Sequence, residues 1–192
     1  GDSPPVTKLG WSYVVLLMSL CAWVEEPAQA QIWTGARTAG PNTFVFGAFG
    51  DFIFIPSAEF MGVGVIEYGI GSKFDLEARF GAGTMPLYGA IFGQWHFYSS
   101  AAVDLALWGG FYYQDAANFT VAMPVSHTFK FFELFGAPIL SIGFSSAGVQ
   151  LGCGIAPGVS VLLSPRFKLF FEWTLGVAPV LNSGSLGVKV YL

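Results

Sequence analysis

Asp75, Glu77 and Arg79 occupy alternate positions of the stretch FDLEARFGAG, residues 74–83, with Phe74, Leu76, Ala78 and Phe80 between them. Charges so spaced suit ion binding, proton transfer or an ion-pair cluster. They stand out in a chain of 192 residues that is 54% hydrophobic and only 10% charged. Other residues with catalytic reach are few. The two histidines, His96 and His127, are the only candidates for a general base of that type. His127 directly follows Ser126, and neighbours on a strand point to opposite faces, which separates that pair. His96 shares a face with Gln94 and can meet Asp104 across a hairpin, with no serine placed beside it. There is no G-x-S-x-G, no H-E-x-x-H and no Cys/His metal spacing. The glycine-rich GVGVIEYGIG opens no helix, so its glycines read as close packing or curvature in a sheet rather than a phosphate loop. Two cysteines, Cys21 and Cys153, cannot build a disulfide framework. The expectation is a non-enzymatic chain without cofactor or metal. The alternative is a lipid-modifying acyl hydrolase or transferase using His96 or His127.

Which elements could hold the charges is set by composition. Ordinary globular domains carry roughly 25% charged residues, and a mean hydropathy of +0.60 leaves too few solvating side chains to cover a water-exposed surface. The net charge of -4, with no Lys/Arg run, argues against a nucleic-acid partner. The medium implied is lipid.

Residues 8–30, KLGWSYVVLLMSLCAWVEEPAQA, pass from Lys8 through an apolar run to Ala28-Gln29-Ala30. A basic start, a short apolar centre and an A-x-A end make a secretory signal cleaved after Ala30. A lipoprotein signal at Cys21 fits less well because Leu20 precedes it. The apolar run is also short of the ~20 residues of a spanning helix.

From Gln31 onward apolar residues come in pieces of about ten, the length of a tilted bilayer-crossing strand. Turn residues separate them, and no run is long enough for a membrane helix. Strands are expected near 43–55, 60–70, 73–83, 87–98, 101–113, 118–128, 130–142, 148–163, 167–178 and 185–192. In lipid every backbone polar group must be satisfied internally, which leaves a closed barrel once helices are excluded. The fold class is therefore all-β: a closed antiparallel transmembrane barrel of about ten strands with short loops. Eight strands would result if segments within 118–142, interrupted by Pro124 and Pro138, fold as a loop or plug instead.

Alternation sorts the side chains. In 167–177, Phe167, Leu169, Phe171, Trp173, Leu175 and Val177 share one face, and Lys168, Phe170, Glu172, Thr174 and Gly176 the other. Applied along the chain, the same parity turns Asp51, Glu67, Asp75, Glu77, Asp104, Glu133 and Glu172 into the lumen with Arg79, Lys168 and Lys189. A charge network there either fills the interior with ion pairs or, given the acid surplus, lines a narrow cation-leaning pore.

With these features assembled, the chain resembles the small outer-membrane β-barrel proteins of Gram-negative bacteria. The final LGVKVYL is similar to the terminal strand such barrels present to their assembly machinery, although it ends on Leu192 where that family has an aromatic residue. The resemblance implies export through the periplasm, insertion in the bacterial outer membrane, and both chain ends on the periplasmic side. The expected partners are the lipid bilayer and lipopolysaccharide, and the surplus of apolar surface permits lateral contact with another envelope protein. The functions implied are a structural or partner-binding barrel, or a narrow porin-like pore.

Overall fold

A computed structural model describes residues 35–55, 58–146, 148–176 and 182–192. The expected export signal, 1–30, lies outside the described residues.

Strand follows strand in an up-and-down order: β1 Phe44–Ile55, β2 Glu59–Ile70, β3 Phe74–Gly83, β4 Tyr88–Ser99, β5 Asp104–Gln114, β6 Ala116–Ala122, β7 Val125–Thr128, β8 Phe132–Ser145, β9 Gly148–Ser164, β10 Phe167–Gly176 and β11 Asn182–Tyr191. Apart from β6 and β7, which do not pair with each other, strands adjacent in sequence pair antiparallel, and β1 pairs with β11, so the sheet closes on itself. Strands β6 and β7 both lie between β5 and β8 and form one broken stave. The barrel therefore has ten staves, in agreement with the count expected from the sequence.

The break has a physical cause. Proline has no N–H for the ladder, and Pro124 falls in the gap between β6 and β7. Pro138 was expected to interrupt the ladder in the same way, yet β8 runs through it. Pro138 lies across from the β6–β7 gap, where Met123 still donates its N–H to the Pro138 carbonyl at 3.2 Å. The missing donor thus falls where the neighbouring stave is already interrupted.

Burial alternates as the sequence parity requires. Along β3 every inward position from Asp75 to Gly81 is buried and every outward position is exposed. Among the described residues no outward-facing position of a strand carries a charge. The outer wall instead shows Phe44, Phe52, Phe80, Ile91, Phe111 and Leu186. In water such a surface would forgo a good part of the roughly 1.5–3 kcal/mol that each such side chain gains on full burial. An apolar outside and a partly polar inside is the partition that a barrel in lipid demands.

The lumen also holds two apolar clusters, which is why β1 carries apolar residues on both faces. One comprises Phe92, Trp108, Tyr112 and Ile139 with small neighbours; the other includes Phe49, Ile53, Met61, Phe135 and Phe170. Tyr88 packs against both. Phe92 and Trp108 stack with ring centroids 4.1 Å apart.

Candidate functional site

Register decides which lumen charges meet. Pairing of β2 with β3 sets Glu67 directly opposite Glu77 on the inner face. Like charges in that relation repel. The compensating cation comes from a strand that touches neither of them: Lys189 on β11 reaches Glu67 Oε2 at 2.7 Å and Glu77 Oε2 at 3.4 Å. Its path crosses β1 at Gly47, the residue in register with it, where a Cβ would sit 3.3 Å from the Lys189 Cγ. Arg79 then donates its Nε–H to Glu77 Oε1 at 2.5 Å. The result is an alternating chain, Glu67–Lys189–Glu77–Arg79, whose members are all 5% exposed or less. The guanidinium carbon of Arg79 lies 4.7 Å from the Phe92 ring centre and 5.2 Å from that of Trp108. Cation–π contact of this kind helps to hold a desolvated guanidinium.

The remaining network residues make further contacts around this chain. Lys168 bonds Glu133 Oε2 at 2.6 Å, and Ser160 donates to the same oxygen at 3.2 Å. Asp51 accepts from Ser185 at 3.0 Å, and Glu172 from Thr174 at 3.4 Å. Asp75 and Asp104 each also take a partner from outside the strands.

Those partners belong to an element that the sequence reading left unassigned. Residues 35–43 run as a strap across the end of the lumen where β1 begins and β11 finishes, here called the terminal end. Ala39 N–H donates to Asp75 Oδ2 at 3.0 Å, and Arg37 Nε–H to Asp104 Oδ2 at 2.6 Å. Gln94 Nε2 donates to the carbonyls of Gly35 and Arg37, and Ala36 N–H to Ser126 Oγ. The strap approaches so closely that a Cβ on Gly69 would sit 1.8 Å from the Gly40 carbonyl oxygen. It enters β1 through Gly40 and Asn42, both at positive φ. The sequence signals were the Gly40-Pro41-Asn42 turn and a lumen with more acids than strand-borne bases.

His96 lies beside Asp104, its Nε2 3.5 Å from Oδ1. Ser99 donates its hydroxyl to that same oxygen at 2.6 Å. The carboxylate thus stands between serine and histidine, whereas nucleophilic activation needs the histidine between them. His127 Nδ1 contacts the Ala102 carbonyl, and its ring meets Phe129 edge-on. Among the described residues neither imidazole is bonded to a serine hydroxyl, and no cluster of three metal-ligating side chains occurs.

The sequence matches no known protein-family model and no curated protein. Several solved structures are similar in shape. The translocator domain of the autotransporter NalP from Neisseria meningitidis is 10% identical with a TM-score of 0.48, over 79% of this chain and 88% of that one. The KdgM porin is 13% identical with a TM-score of 0.47, over 76% and 98%. The N-terminal β-barrel domain of OprF from Pseudomonas aeruginosa is 14% identical with a TM-score of 0.39, over 80% and 99%. At these identities and scores the likeness decides nothing about what the protein does. The closed ladder and the sorted faces by themselves make the chain an antiparallel transmembrane β-barrel of ten staves with ion pairs on its inner face.

Proposed function

We propose that this barrel resides in the bacterial outer membrane and acts as a structural or partner-binding component of the envelope, with its lumen closed to ions. The observation that carries this reading is the filled cross-section. Trp108, Phe92, Lys189 and Glu172 are each less than 2% exposed although all four point into the lumen. A pore needs hydrated polar walls and sites weak enough to release an ion. Here the carboxylates of Glu67 and Glu77 are already occupied by Lys189 and Arg79. The apolar outer wall, free of charge among the described residues, gives lateral partners and lipid the same kind of surface.

Planar-bilayer recording on purified full-length protein tests the closed lumen. Wild type is expected to show no steady conductance. A variant carrying Phe92→Ala and Trp108→Ala, which removes the stacked pair, is expected to conduct. Sustained cation-selective current through wild type would overturn the reading in favour of a narrow pore.

A further inference from the structure

Among the described residues, the exposed cations gather at one end. Lys73, Lys130 and Arg166 lie in the β2–β3, β7–β8 and β9–β10 turns, and Arg37 in the strap, all at the terminal end. At the far end the described turns and strand starts carry Glu59 and Asp115 and no cation. The asymmetry is opposite in sign to the acid-rich lumen between the two ends.

A pocket of about 240 Å³ opens at the terminal end, between the β7–β8 turn and the start of β10. Arg37, Lys130 and Lys168 line it, with Glu133 as its one carboxylate. Lys168 is engaged by Glu133 at 2.6 Å. Arg37 commits its Nε to Asp104, and its side chain is 53% exposed. Lys130 is exposed and, among the described residues, has no carboxylate partner. The other wall is aromatic: Phe129 and Phe132 stack at 4.3 Å, with Phe131 5.4 Å from Phe132. That wall is continuous with the lipid-facing surface, since Phe131 is 60% exposed and Leu163, on the next stave, 61%.

A cationic pocket whose other side merges with the lipid-facing wall matches a ligand that is anionic at one end and apolar at the other. We propose that it binds the phosphodiester headgroup of an anionic glycerophospholipid from the leaflet at the terminal end. Lys130 and Arg37 meet the phosphate, and Phe129 and Phe131 flank the first acyl carbons. This assignment rests on the membrane-barrel reading above. Free phosphate shares the headgroup's charge but makes no use of the aromatic wall.

The test is electron paramagnetic resonance of spin-labelled phosphatidylglycerol or phosphatidylcholine around the full chain, reconstituted in phosphatidylcholine vesicles. The motionally restricted fraction gives their relative association. Wild type is expected to favour phosphatidylglycerol about fivefold, the worth of one interfacial cation. Lys130→Gln is expected to bring the ratio close to one, while Lys130→Arg keeps it and Asp115→Asn at the far end leaves it unchanged. Equal association in wild type, or a preference that survives Lys130→Gln, would overturn the proposal. Loss of the preference on adding inorganic phosphate, but not chloride of equal ionic strength, would assign the pocket to free phosphate and overturn the lipid assignment. Heat-modifiable gel migration keeps the two readings apart. A folded barrel without lipid preference removes only this site, whereas a chain that never shows folded migration counts against the barrel itself.

Discussion

Lys189 is the residue on which the lumen network turns. It lies between two carboxylates that face each other across one strand pair. Removing one partner from a buried ion pair leaves an uncompensated charge and costs about 3–5 kcal/mol. Lys189→Met is therefore expected to destabilise the barrel by that amount in urea unfolding from lipid vesicles. Adding Glu67→Gln should recover a large part of the loss, because Glu77 keeps Arg79. A second residue-scale constraint is steric. The ring of Phe49 lies over Gly187, where a Cβ would meet Phe49 Cδ1 at 2.1 Å. Gly187→Ala is expected to cost about 1–3 kcal/mol by overpacking. The cost should shrink in a Phe49→Leu background, so a double-mutant cycle in the same unfolding assay would show strong coupling.

Among the elements, the β8–β9 hairpin is held unequally. Its own ladder is continuous from Phe132↔Val161 to Ser145↔Gly148. On one side its link to the β6–β7 stave lapses at Met123-Pro124, across from Pro138. On the other side its link to β10 lapses between Glu172↔Gly158 and Leu175↔Ile155, beside Pro157. Ladder bonds lost to proline make local opening easier. Hydrogen exchange followed by mass spectrometry should find amides of 123–128 and 173–174 exchanging well ahead of those in the centre of β8 and β9. Uniform protection around the barrel would show that the three prolines do not weaken the wall. The strap works in the opposite direction. It ties β3, β4, β5 and β7 together across the terminal end through Asp75, Gln94, Asp104 and Ser126.

Taken whole, the molecule is polar along its axis. The described far end is acidic or neutral, while the terminal end carries the exposed cations and the aromatic β7–β8 turn. That polarity is the basis of the predicted preference for an anionic lipid. It is independent of whether the lumen conducts, which depends on the packed centre formed by Phe92, Trp108, Phe170 and the ion-pair chain. The bilayer recordings and the lipid association assay therefore examine separate properties.

The period of two in segments such as FDLEARFGAG was enough to settle strand type and to indicate which residues turn inward, because successive side chains on a strand must alternate. Turn residues placed the staves close to where they lie. Apolar composition required a lipid-facing wall, and backbone satisfaction in lipid then required closure. Only the tertiary structure decided partners. Lys189 meets Glu67 and Glu77 because the closing pair β1–β11 brings the last strand within reach of the second and third, more than a hundred residues away in sequence. The strap was hidden for the same reason. Its backbone donors satisfy Asp75 and, with the Arg37 side chain, its residues balance acids far along the chain. No local pattern records contacts between an irregular segment and a barrel that exists only once closed.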